Sequence, residues 1–185
     1  MDPTAAVSAT AFVSARHAGL RDFQQQLAHR LQQAATVRGQ IQDCIAASTG
    51  TRHWLFELAC AAEVIAVPAL TAVPFTRPWY LGLINHRGEL AGVVDLDGLS
   101  GAPVQPWCAT DRLLVLSPAL PLRCAIRLSH LTGIVDRTAM REAGRDHDLP
   151  DWSPLSLEGA DGVRRAWVDI DALMRDPVFI DIGCR

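Results

Sequence analysis

Few residues in this chain have both the type and the spacing for chemistry. Asp95 and Asp97, in the run Val94-Asp95-Leu96-Asp97-Gly98-Leu99, and Asp169 and Asp171, in Val168-Asp169-Ile170-Asp171-Ala172-Leu173, form two D-x-D pairs. Their oxygens would suit Mg²⁺ or Mn²⁺. The plainer use is a strand ending on an aspartate, with the second aspartate accepting N–H groups at the start of a short helix. No further carboxylate cluster accompanies either pair, so capping is preferred and a small β-barrel metal-dependent enzyme using Asp95/Asp97 stands as the alternative. Ser117, Ser129 and Ser156 lie in no G-x-S-x-G elbow, and none of the six histidines has a motif-like relation to a Ser or Cys. No catalytic residue is assigned. His53 and His130 fall inside predicted strands, where a hydrogen-bonded structural role is expected.

The densest local specification runs from Thr71 to Leu96: two prolines, a Trp79-Tyr80-Leu81 turn, Gly82, then an Asn85-His86-Arg87-Gly88 turn feeding a strand. Asn85 and Gly88 both tolerate the left-handed region and should bracket a tight turn that holds Arg87 near the sheet. A fixed arginine needs a carboxylate or carbonyl partner. Glu63, an isolated acid in the apolar run Ala61 to Val67, either pairs with it bidentately or faces solvent on the polar side of its strand.

Composition removes other chemistries. All 17 basic residues among Lys and Arg are arginine, which excludes a Walker-type phosphate loop, a Schiff-base lysine and a kinase phosphate-binding lysine. The net charge of −3 offers no basic field, and the five tryptophans do not interleave with the arginines, so no nucleic-acid partner is expected. Five scattered cysteines without C-x-x-C or ligand-spaced histidines read as reduced and free of metal, and no cofactor is expected. Asp2 and Pro3 stand where a signal peptide would be basic, and no uncharged run exceeds 13 residues, so a cytoplasmic chain without membrane insertion is expected.

The elements that position these residues begin with Leu20, Phe23, Leu27 and Leu31, whose 3-and-4 spacing predicts an amphipathic helix over 20–36 within an N-terminal extension of residues 1–50. Its stripe docks either on the following domain or on a partner helix. From His53 the texture becomes HWLFEL, AEVIAV, LTAV, ELAGVVDL, DRLLVLS, LRCAIRL, SHLTGIVD and RRAWVDI, short strands of a mainly β sandwich or barrel. Residues 137–162 are expected to form a long polar loop. The VDLDGL/VDIDAL echo suggests two small β-lobes closed in the same way.

The segment V-P-x-x-x-x-x-W-x-x-G-L-x-N-x-R-G-x-L-x-x-V-V-D-L, Val73 to Leu96, resembles the signature of CheW-like chemotaxis adaptors. Ala62-Glu63-Val64, Leu128 to Asp136 and Trp167 to Leu173 extend the likeness over roughly residues 51 to 174. The leading helix, the Trp before the Gly-x-x-Asn-x-Arg-Gly turn and the tail Val178 to Ile182 look most like the PilI subgroup of the type IV pilus twitching-motility system.

The resemblance implies a fold of two small five-stranded, SH3-like β-barrels around a shared core, spanning 51–176 with a tail at 177–185. It also implies a non-enzymatic role, coupling the cytoplasmic tips of methyl-accepting chemoreceptors to the regulatory domain of a CheA-type histidine kinase within membrane-bound receptor arrays. By motif position, Arg87 and Glu63 become the paired residues of the receptor-coupling region, shaped by Asn85, Gly88 and Gly82. His86 joins this protein-binding set as a departure, since the family has Leu or Val there. The first hairpin also departs: Phe56 reaches Glu63 in seven residues, which leaves an edge strand for the N-terminal helix or the 40–50 segment to cover.

Overall fold

A strand at the centre of a small two-layered β-domain buries both of its faces, and its residues then divide by parity between two cores. The computed structural model describes residues 43–184, and the helix expected over 20–36 lies outside them. Among the described residues one sheet holds six strands in the order β8-β1-β2-β11-β10-β9. These are β1 (Asp43–Ser48), β2 (His53–Glu57), β8 (His130–Asp136), β9 (Arg141–Glu142), β10 (Ser156–Glu158) and β11 (Arg164–Val168). The other holds five in the order β3-β6-β7-β5-β4, from β3 (Ala61–Ala66), β4 (Tyr80–His86), β5 (Glu89–Val94), β6 (Arg112–Leu116) and β7 (Cys124–Leu128). Two barrel-like lobes are therefore present, the first with six strands rather than the expected five.

Parity explains the buried runs. Cys44, Ala46 and Leu55 fill the first lobe with Leu157, while their neighbours Ile45, Ala47, Trp54 and Phe56 face a shared core. In the second lobe Leu113, Val115, Val93 and Ala125 point inward, and Leu114, Leu116, Val94 and Ile126 join the same shared core. Trp54, Phe56, Leu114 and Ile126 are fully buried there, each contributing on the order of 2 kcal/mol of apolar transfer.

The sequence of Asp43–Ser48, with two alanines and a serine, carries little β propensity, yet it forms the interior strand β1 between β2 and β8. It lies upstream of position 51, where the sequence reading opens the β-domain. Small residues suit it because both faces are packed. The strand that the short first hairpin lacks after Phe56 is supplied from before His53 by β1, which pairs with β2. The run Leu70 to Val73 is not a strand; Thr71 forms only an isolated bridge with Leu83. Residues 137–162 contribute β9 and β10 and bury Leu149, Trp152 and Ser153, so this segment is part of the first sheet and not a polar loop. His53 and His130 are exposed at strand starts instead of being structural core histidines.

The two exit motifs are equivalent, but with the aspartates in the opposite order to the expected one. The first aspartate caps: Asp95 Oδ1 accepts from Gly98 N at 2.8 Å before α1 (Leu96–Leu99), and Asp169 Oδ1 accepts from Ala172 N at 2.9 Å before α2 (Ile170–Leu173). The amide of each capping aspartate donates to a tryptophan carbonyl, Trp79 for Asp95 and Trp152 for Asp169, both at 2.9 Å. Each motif also follows a strand with a parallel neighbour, β5 beside β7 and β11 beside β2. Asp97 has a separate task. Its carboxylate accepts from the hydroxyl of Thr49 at 2.5 Å and from Thr51 N and Oγ1 at 3.0 and 2.9 Å, tying the β1–β2 turn to α1.

The C-terminal segment closes over the entry to β4. Phe179, in α3 (Pro177–Ile180), stacks on Trp79 with ring centres 6.1 Å apart, and Arg77 N donates to Ile182 O at 2.8 Å. The tryptophan and the tail that carry the PilI likeness therefore form one packing unit. Gly82 sits at φ +133 where β4 bulges, and a Cβ there would lie 2.4 Å from the Thr71 carbonyl oxygen. Replacing Gly82 by alanine is expected to destabilise the fold by about 2 kcal/mol or more through backbone strain and displacement of Thr71. A urea midpoint equal to that of the parent protein would show that the close approach is not required.

Candidate protein-binding site

The site begins with a two-residue hairpin turn. β4 and β5 pair with His86 opposite Glu89, so Arg87 and Gly88 alone form the connection, at φ +55 and +86. Two positive φ values match the right-handed twist of the flanking strands. Asn85 does not take the expected left-handed position: it is the penultimate residue of β4, just before His86, and its Oδ1 accepts the Gly88 amide at 2.9 Å. That bond steadies Arg87 in a conformation that costs an ordinary residue about 1 kcal/mol.

Glu63 arrives from β3, at the opposite end of the same sheet's strand order. A bulge between Ala61 and Glu63 re-aims the strand at this point. The half-buried Glu63 carboxylate meets the hairpin, with Oε2 accepting from Arg87 Nη2 at 2.5 Å and Oε1 bonded to His86 Nε2. The structure thus brings Glu63 and Arg87 together, through one guanidinium nitrogen instead of a bidentate fork. Side chains here join β3 to β4, the two end strands of the five-stranded sheet.

The partnership of His86 with Glu63 was not legible in the sequence, where His86 registered only as a departure from an aliphatic position. Beside it, Arg123 pairs with Glu89 at 2.7 Å, and Leu90 is 63% exposed. These side chains rim a groove floored by Ala91, Val115 and Leu116. Ala62 and Glu63 also line a second, more apolar groove between β3 and β8, where Leu131, Gly133 and the exposed Ile134 lie. Glu63 therefore stands at the junction of two surface grooves.

Hydrogen bonding from His86, followed by the Arg87 charge, holds the Glu63 carboxyl below the usual carboxylate range against the opposing effect of burial. A depressed native value means that the contribution is complete above the unfolded value near ~4.3 and is lost as pH falls through the native one. Urea midpoints of the parent protein and Glu63→Gln are expected to differ by a constant amount above about pH 5 and to converge below pH 4. Parallel profiles down to pH 3 would contradict the pairing.

Asp95 and Asp97 do not form a metal centre. Both Asp97 oxygens are engaged by Thr49 and Thr51, one Asp95 oxygen caps α1, and the other lies 3.5 Å from the Arg127 guanidinium. Burial pushes the Asp95 carboxyl up, which disfavours the charged form that a cation needs. No group of three or more His, Cys, Asp or Glu among the described residues is arranged to hold a metal ion.

A model of the CheW-like domain matches residues 43–176, most of the chain. The chain belongs to the CheW-like family. Its match begins at β1, in agreement with the strand found upstream of 51. CheW-like proteins are scaffold adaptors rather than enzymes, and the Asp95/Asp97 enzyme reading falls with that assignment. Protein PilI of Pseudomonas aeruginosa is 31% identical over 67 residues, 36% of this chain and 38% of PilI, so the match spans under two-fifths of that relative. The crystal structure of the scaffolding protein TtCheW from Thermoanaerobacter tengcongensis shares the fold, with a TM-score of 0.58 at 14% identity over 69% of this chain and 88% of that one. Among the described residues no helix of this CheW-like chain is long and apolar enough to cross a membrane.

Proposed function

We propose that this chain is a chemosensory adaptor that couples the cytoplasmic tip of a methyl-accepting chemoreceptor to the regulatory domain of a CheA-type histidine kinase. It works in the cytoplasm at receptor arrays, held there by protein contacts, and the likeness to PilI supports type IV pilus twitching motility as the output. The observation that carries the reading is the Glu63–Arg87 pair on the family's hairpin turn, set where two surface grooves meet. Arg87, Glu63, Asn85, Gly88, Gly82 and His86 form the receptor-coupling region in this reading. Grooves of this kind give modest, individually weak interfaces that gain strength from multivalency in an array.

The test is assembly. A soluble receptor hairpin fragment, the kinase and this chain, all from one organism, are mixed and followed by sedimentation velocity. A complex containing receptor and kinase only when the chain is present is the expected result. Receptor and kinase sedimenting separately with the chain at high micromolar concentration would refute the reading.

A further inference from the structure

Among the described residues Arg87 is tethered at one point only. Nη2 meets Glu63 Oε2 at 2.5 Å, and the side chain is otherwise 76% exposed. A free arginine and a free carboxylate at this spacing would ordinarily close into a two-bond fork. The second oxygen of Glu63 is bonded to His86 Nε2, which competes with a second Arg87 bond there. The other carboxylate of the hairpin, Glu89, pairs across the strand with the His86 position and is committed to Arg123 at 2.7 Å. Among the described residues the charged groups around His86 are Glu63 on β3, Arg87 in the turn, and Glu89 with Arg123 beyond it.

We propose that His86 is a positioning residue for Arg87. By bonding one oxygen of Glu63, it competes with Arg87 there, favours single-point pairing and leaves the outer edge of the guanidinium open for a carboxylate on the receptor tip. The guanidinium fork fits a planar carboxylate, and the exposed Leu90 next to the turn supplies an apolar contact beside it. The partner surface is an acidic side chain flanked by an aliphatic one. This inference rests on the receptor-coupling role assigned above to the same turn.

The geometry requires Nε2 of His86 to carry a proton in the neutral ring, because Nε2 faces an ionised oxygen that Arg87 does not use. Ring ¹⁵N shifts of the full chain at pH 8 should show the Nε2–H tautomer, and the Nδ1–H tautomer would overturn the proposal. Affinity for the soluble receptor hairpin fragment gives the second readout. His86→Leu frees the oxygen, lets Arg87 close on Glu63, and should weaken binding about two- to tenfold, the span of one net hydrogen bond. His86→Gln keeps a donor and should bind within about twofold of the parent.

Equal affinity of the leucine variant and the parent would overturn the inference, as would an equal loss in the leucine and glutamine variants. If the parent chain binds no receptor fragment, the role of the turn fails and the inference fails with it. If the parent binds and the leucine variant is unchanged, only the inference fails.

Discussion

Replacing Arg127 by leucine is expected to cost about 3–5 kcal/mol of stability, the cost of breaking a buried ion pair from one side. Its side chain is 5% exposed, and Nε and Nη2 donate to Asp111 Oδ2 at 3.0 and 2.7 Å. Nη1 and Nη2 also donate to the carbonyls of Gln105 and Pro106 at 2.5 and 2.6 Å, and the guanidinium lies 4.4 Å from the Trp107 ring centre. The substitution strands the buried Asp111 carboxylate and two loop carbonyls together. A double change of Arg127 and Asp111 to leucine should cost less than the single one, because the buried Asp111 charge leaves with its partner, while Asp95, 3.5 Å from Arg127 Nη1, loses its cation in both variants. Urea unfolding measures both. A loss under 1 kcal/mol for the single variant would mean that the network is dispensable.

Arg87→Glu is expected to do the reverse, sparing the fold and removing receptor coupling. The side chain is mostly exposed, and surface pairs of this kind contribute about 0–1 kcal/mol. Reversing the charge sets a second carboxylate beside Glu63 and removes the cation presented to the partner. Affinity for the receptor hairpin fragment should fall at least about tenfold, or about 1.4 kcal/mol, with the urea midpoint nearly unchanged. Unchanged receptor affinity would place coupling elsewhere on the molecule, and a collapsed fold would make the turn structural.

Much of the architecture was readable because its signals were local. Strands β2, β3, β5, β6, β7, β8 and β11 carry β-branched or aromatic residues between turn residues, and the recurring V-D-x-D motif marked both lobe exits. The misses at β1, β9 and β10 share a physical cause, namely that packing outweighed propensity, whereas β4 was read as a turn at Trp79-Tyr80-Leu81. Apart from Ile45, the interior of β1 is built of small residues because it lies between two strands with both faces buried, so neither alternation nor bulk announced it. β9 and β10 come from a charged segment whose pairing is set by β11 and not by its own pattern.

The candidate site was legible as a pairing but not as a geometry. An isolated Glu63 in an apolar strand and an arginine fixed in a tight turn pointed to each other across 24 residues. The third partner was hidden, because only the cross-strand register of a two-residue turn sets His86 beside the same carboxylate. Asp97 illustrates the same limit. Its spacing suggested a cap, whereas its bonds to Thr49 and Thr51 depend on a β1–β2 turn that the sequence did not reveal.

Titration of the chain into the isolated regulatory domain of the CheA-type kinase of the same organism, followed by calorimetry, tests its proposed role as an adaptor with a kinase partner most directly. Saturable one-to-one binding is the predicted result. Absence of heat and of saturation up to high micromolar concentration would contradict it.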